Sequence, residues 1–319
     1  MDETRREAQR ASRRRFLEGA ALVASAATAS AARPLLAAEP RTSGGAKRDR
    51  WSQPFRRMVA FGESHVTGIS ATRPEYGWVS LVKGLIDRFQ HDEVELINRG
   101  LGADVLSRQS PLYEEYRGRR PIGIERYRRH VIETDPDLVI LAYGYNDMQS
   151  GTPVLAFMED LQVVLTDIQE QTKSLVVLLD TYFVADAWHE DPPREGSSEG
   201  RWKHGSREKQ LVYNRAIEAV AAKNDLLCAR IYEALEDAEW LICEPSGPDI
   251  HLNDLGHQLV ANRVFETLAS NCSGLALKAA EDRRRVGKSP WRYGPEGQES
   301  RLIRDFYPES KAFLKEGGG

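Results

Sequence analysis

Four short stretches place chemically capable side chains beside glycines or turn residues. The first is Phe61-Gly62-Glu63-Ser64-His65. A serine that follows a glycine just beyond an apolar run can sit on a tight turn with its hydroxyl exposed. A helix starting there would aim its first amides at the same point, where they can hold an oxyanion. Serine is equally a common helix N-cap, so this stretch alone does not decide between the two. The second, Asn98-Arg99-Gly100-Leu101-Gly102-Ala103-Asp104, has glycines that permit close backbone approach to a ligand, or simply a turn. In the third, Gly144-Tyr145-Asn146-Asp147, the asparagine amide can donate to a developing oxyanion or cap a turn. The fourth, Pro248-Asp249-Ile250-His251-Leu252-Asn253-Asp254, sets a histidine just ahead of an N-capping residue, on a loop rather than within a core.

The elements around these stretches make their order informative. Continuous apolar runs over Met58–Phe61, Val94–Ile97, Leu138–Tyr143, Leu175–Leu179 and Leu226–Ile231 suit buried strands. Between them apolar residues recur every three or four positions: Trp78, Val82, Leu85 and Phe89; Val154, Phe157, Leu161, Val164 and Ile168; Leu255, Leu259, Val264 and Leu268. Strands alternating with amphipathic helices predict an α/β fold with a parallel sheet covered on both faces. Ligands of such sheets bind at the carboxyl ends of the strands, where the first three stretches fall. Residues 105–133, polar, basic and mostly helix-like, break the rhythm, as does a long irregular loop over 182–207.

Taken together, Gly-Glu-Ser, Asn-x-Gly-x-Gly, Gly-x-Asn-Asp and Asp-x-His-x-Asn resemble the four blocks of the SGNH (GDSL-like) hydrolases, over about residues 55–272. The resemblance implies a three-layer α/β/α, flavodoxin-like sandwich with a mainly parallel five-stranded sheet. It implies hydrolysis or transfer of acyl esters without metal or organic cofactor. It assigns Ser64 as nucleophile and His251 as its base, through an acyl-enzyme. The oxyanion would be held by the Ser64 amide, a second-block amide and the Asn146 side chain. Three departures from the family pattern are visible. Glu63 stands where aspartate is usual and should retune the turn. Ala103 stands just before Asp104, where glycine is usual; its amide is the expected donor, with Gly102 as the alternative. The acid that orients His251 is expected at Asp249, two residues before it rather than three, with Glu244 or a backbone carbonyl as substitutes. His65, Trp188 and Trp202 are further candidates to touch substrate.

The amino terminus carries a different signal. A basic stretch, Arg5 to Arg15, leads into a weakly apolar, alanine-rich run over Gly19 to Ala32, too short to span a bilayer. Ser12-Arg13-Arg14-Arg15-Phe16-Leu17 resembles a twin-arginine export signal, so residues 1–38 are expected to be removed on the way out of a bacterial cytoplasm, leaving no stable membrane insertion. Residues 39–54 then read as a linker, 55–275 as the catalytic domain and 276–319 as a polar extension. The 1–38 stretch holds seven arginines and four acidic residues, so its removal takes the formal charge from −4 to −7. An acidic chain repels phosphate backbones, which argues against nucleic acid as a partner. Cys228, Cys243 and Cys272 are an odd set without metal-ligand spacing and read as small buried hydrophobes.

The leading expectation is therefore an exported serine esterase acting on a short acyl ester of a carbohydrate or small molecule. An acyltransferase or lipase (lysophospholipase) on the same fold is the nearest rival. A non-catalytic flavodoxin-like binding module is the rival of another class, and it gives the four stretches no reason to meet in space.

Overall fold

The computed structural model describes residues 48–184, 202, 204–238, 241–242 and 250–286. The five apolar runs become β1 (Arg57–Gly62), β2 (Glu95–Gly100), β3 (Leu138–Ala142), β4 (Leu175–Leu179) and β5 (Leu227–Ala229). They form one sheet in the order β2-β1-β3-β4-β5, and every neighbouring pair is parallel. β1, β3 and β4 are buried almost throughout, as a sheet covered on both faces requires. β2 lies at the edge and is half-exposed; it starts later than Val94 and runs on to Gly100, because its ladder to β1 continues to the Gly62–Gly100 pair.

Helices α2 (Trp78–Gln90), α8 (Ile231–Glu236) and α9 (Asp254–Ala269) pack together, and α4 (Gly123–His130), α6 (Val154–Gln171) and α7 (Arg207–Lys223) form a second group. The result is the expected three-layer α/β/α arrangement. The buried face of α2 is Trp78, Val79, Val82, Ile86 and Gln90, whereas Phe89 is exposed and stacks on Phe265, 5.1 Å between ring centres. The apolar stripe is thus rotated relative to Trp78–Val82–Leu85–Phe89. Gln90 takes the last inward position, where its amide accepts from Phe55 N–H and donates to Phe55 C=O, at 3.0 and 2.8 Å.

Residues 48–54, at the end of the stretch read as a linker, are tied to the domain. Arg50 N–H donates to Asn271 C=O, and Trp51 C=O accepts from Gly274 N–H. Beyond residue 276 the chain continues as α10 (Leu277–Val286), which contacts α2. Cys228 and Cys272 are free thiols, pushed up to about 12 by burial; Cys243 lies outside the described residues. Among the described residues no helix is long and apolar enough to cross a membrane.

The ends of β1, β2 and β3 are level, and one buried ion pair ties them together. Arg126 of α4 donates to Asp104 Oδ2 from Nε and Nη2, at 2.9 and 2.7 Å, and both residues are buried. The same guanidinium donates to Arg99 C=O, Gly62 C=O and the Tyr143 hydroxyl. Tyr143 O–H in turn donates to Asp104 at 2.7 Å. Removing one partner of a buried pair leaves an uncompensated charge, at a cost of about 3–5 kcal/mol. Arg126→Met should therefore destabilise the protein by about 3 kcal/mol, towards the lower end of that range because Arg120 still reaches Asp104 at 3.3 Å. Guanidinium unfolding measures this, and an Arg126→Met/Asp104→Asn double variant should recover part of the loss.

Candidate active site

Ser64 begins α1 (Ser64–Thr67), the single helical turn that follows β1. Two glycines let that turn settle on the strand ends. A Cβ on Gly62 would lie 2.3 Å from Ala142 C=O, and one on Gly100 would lie 2.6 Å from Thr67 N. Asn98 of β2 holds the turn from below, its Nδ2 donating to Val66 C=O at 2.7 Å. As the first residue of α1, Ser64 has an N–H with no acceptor within its own helix. His251, on the loop before α9, places Nε2 3.1 Å from Ser64 Oγ. That distance permits direct proton transfer between hydroxyl and imidazole.

Asn146 lies in the first turn of α5 (Tyr145–Ser150), after β3. The chain enters α5 through Gly144 at φ +124°, a conformation that side chains rarely adopt. Glu63 reaches the start of α5. Its buried carboxylate accepts from Tyr145 N–H and Asn146 N–H, at 3.2 and 2.8 Å, and so caps α5 from the first block. Asp147 does the same for the second block, accepting from Leu106 N–H and Ser107 N–H at 2.8 and 3.0 Å. Asn146 Nδ2 donates to Asp104 C=O at 2.9 Å, which orients its amide and leaves a second N–H to give.

Ser64, His251, Asn146, Gly102 and Ala103 line one cavity of about 310 Å³. Ile69, Tyr145, Trp202 and Ile250 give it apolar walls, and Gln149 completes it. The Gln149 side chain is engaged on both ends, donating to the Tyr145 hydroxyl and accepting from Gly205 N–H. Ala103 has φ +54°, in the left-handed region; among the described residues its N–H meets no acceptor. The four stretches of the sequence thus meet at one opening, where a hydroxyl, an imidazole and several N–H groups surround a space fit for an ester carbonyl.

One expected contact falls elsewhere. His65 does not line the cavity; it is buried behind Ser64, its ring 5.1 Å from that of His251 and packed against Tyr145 and Tyr182. Burial, and then the neighbouring His251, hold His65 well below the usual histidine range, so it is neutral. The single turn of α1 explains the difference, since a residue one position after Ser64 is rotated about 100° away from it. Trp188, Asp249 and Glu244 lie outside the described residues. His257 is structural: its Nδ1 accepts from Trp78 N–H at 3.3 Å and its Nε2 donates to Ile69 C=O at 3.0 Å, which fixes a cavity wall.

The GDSL-like lipase/acylhydrolase family model matches residues 60–259, well over half of the chain. The chain belongs to this family. This GDSL-like acylhydrolase is accordingly a carboxylic ester hydrolase. Its fold resembles that of the lipase/acylhydrolase from Enterococcus faecalis, with a TM-score of 0.52 at 20% identity over 67% of this chain and 95% of that one. It also resembles an alpha/beta hydrolase enzyme from the metagenome of Lake Arreo, Spain, with a TM-score of 0.50 at 18% identity over 71% and 98% of the two chains. At these identities the likeness concerns the fold. No curated protein sequence matches the acylhydrolase.

Several groups that build the acylhydrolase site carry no sequence signal of their own. Tyr116, Arg120 and Arg126 come from the basic stretch 105–133, whose partners only the fold reveals. Asp147 is visible in its motif, but its acceptor role is not. Burial raises its carboxyl to about 7, against the opposing pull of the Leu106 and Ser107 amides. The unfolded chain holds that proton only to about pH 3.9, so folding takes up a proton between about pH 4 and 7. Stability falls as pH rises through that window and the penalty is constant above it. Asp147→Asn carries no such proton. The stability of the wild type relative to Asp147→Asn should therefore fall from about pH 4 to 7 and then level off. Guanidinium unfolding across pH checks this, and a difference independent of pH would refute it.

Proposed function

We propose that the protein hydrolyses short acyl esters of small molecules or carbohydrates through an acyl-enzyme on Ser64. The observation that carries the reading is the 3.1 Å approach of His251 Nε2 to Ser64 Oγ at the cavity shared by Ala103 and Asn146. A serine hydroxyl is a weak nucleophile near neutral pH and needs an adjacent base. His251 takes the Ser64 proton as Oγ attacks the ester carbonyl. The tetrahedral oxyanion is held by the Ser64 and Ala103 amides and by Asn146 Nδ2, with the Gly102 amide as the alternative second-block donor. The alcohol leaves with the proton from His251. Water, deprotonated by the same imidazole, then releases the acid and restores Ser64. Asp249, two residues before His251, is the group proposed to orient the imidazole.

The walls of the cavity support a small, partly apolar substrate. Ile69, Ile250, Tyr145 and Trp202 suit a short acyl chain or the apolar face of a ring, and the volume lies at the lower end of the usual range for ligand sites.

A fluorophosphonate probe should label the wild type and not Ser64→Ala; labelling that survives the substitution would overturn the proposal. Asn146→Ala should lower kcat about 100- to 1000-fold with little change in KM, because its donor acts mainly in the transition state. A raised KM at unchanged kcat would remove Asn146 from that role. The amino-terminal Arg13-Arg14 pair, outside the described residues, supports export by a twin-arginine route to a periplasmic or extracellular location. Changing both to Lys should retain the precursor in the cytoplasm, seen by fractionation; normal export would point to another route.

A further inference from the structure

We propose that Tyr116 and Arg120 are positioning residues for the oxyanion-binding amide of Ala103, fixing the left-handed backbone that turns this N–H toward the cavity. The proposal rests on the reading of Ser64 as nucleophile given above.

Four observations converge on the Gly102–Ala103 peptide. Ala103 has φ +54°, a region an L-residue avoids because its Cβ crowds the carbonyl oxygen. The carbonyls on both sides of it are taken. Arg120 Nη1 donates to Gly102 C=O at 2.9 Å, and Tyr116 O–H donates to Ala103 C=O at 2.9 Å. Arg120 also reaches Asp104 Oδ1 at 3.3 Å and lies over the Tyr116 ring at 4.5 Å, so the two side chains brace each other. Among the described residues every peptide bond is trans.

Geometry turns these contacts into a function. The φ and ψ of a residue set the relative orientation of its two flanking peptide planes. Holding one oxygen of each plane therefore fixes Ala103 in place. In a trans peptide the N–H points opposite to the C=O. With Gly102 C=O turned to Arg120, which does not line the cavity, the Ala103 N–H faces the side that Gly102 and Ala103 do line. Released from Tyr116 and Arg120, an alanine would relax toward the right-handed or extended regions. The peptide would rotate and carry the donor away from Ser64. The clamp thus makes an alanine workable at a position where only glycine adopts the required backbone without strain.

The test uses Tyr116→Phe and Arg120→Met, singly and together, each with and without Ala103→Gly. Turnover of a p-nitrophenyl ester is normalised to the amount of Ser64 titrated by a fluorophosphonate, so that only folded protein counts. Deleting an oxyanion donor outright costs about 100- to 1000-fold in kcat; a displaced donor should cost about tenfold in each single variant, with KM within about twofold. Ala103→Gly, which visits the left-handed region freely, should restore most of the lost kcat. Unchanged kcat in the Tyr116→Phe/Arg120→Met double variant would overturn the assignment, and so would a loss that Ala103→Gly does not recover. A wild type that the probe does not label would instead overturn the nucleophile reading on which the assignment rests.

Discussion

The carboxylate of Glu63, buried between the first and third strand ends, is the contact from which the rest of the site is built. A parallel sheet brings its carboxyl ends to one edge, but the loops there have backbone amides that must find acceptors away from water. Glu63 supplies them for Tyr145 and Asn146. Asp147, in the helix α5 so fixed, supplies them for Leu106 and Ser107 of the second loop. Asp104 of that second loop meets Arg126, whose guanidinium donates to Gly62 C=O, one residue before Glu63. The circuit closes on itself. First block holds third, third holds second, and second returns to the first through Arg126. Each buried carboxyl group has its oxygens matched with hydrogen-bond donors, and a group removed anywhere leaves its partner unsatisfied.

Such a circuit costs stability, since desolvation pushes Glu63 well above the usual carboxylate range and Asp147 to about 7. What it gives is rigidity where the chemistry requires it. An oxyanion donor is effective only if it is in position before the reaction, because reorganisation during the reaction would consume the gain. The strained Ala103 illustrates the same trade. Its φ of +54° is maintained by contacts on both flanking carbonyls, as strained residues at functional sites generally are.

The parts legible in the sequence were those encoded locally. Strand positions followed from apolar runs, and the order of the four motifs placed Ser64, Ala103, Asn146 and His251 around one opening. Glu63 was visible as a departure from the family pattern, but its bond to the Asn146 amide joins residues 83 positions apart and was not. Tyr116, Arg120 and Arg126 were hidden for the same reason. A charge is written in the sequence, while its partner is decided by the fold. His65 shows the other limit. Adjacency to Ser64 suggested contact with substrate, yet one step along a helical turn carries a side chain to a different face, and His65 is buried beside Tyr182 instead. Phe89 was misplaced likewise, because the polar Gln90 took the inward position by bonding both ways to Phe55.

The arrangement also separates what must be fixed from what can vary. Ser64 and Asn146 sit in the first turn after a buried strand, the turn of Ser64 held by Asn98 and Asn146 held by Glu63 and the Asp104 carbonyl. Ile69, Trp202 and Ile250 stand on the connecting segments around the cavity instead. Ile69 accepts a His257 bond at its carbonyl, which fixes the backbone and leaves the side chain free to change. Residues 204–205, near Trp202 in the chain, are seated on Gln149: His204 N–H donates to its C=O and Gly205 N–H to its Oε1. The Ile69 backbone and residues 204–205 are thus held through their own main-chain groups. A substitution at Ile69 or Trp202 would reshape the cavity while leaving the Glu63–Asp147–Asp104 circuit untouched. The chemistry of the site is therefore set by the interlocked strand ends, and the choice of ester by the Ile69, Trp202 and Ile250 walls, which stand outside that circuit.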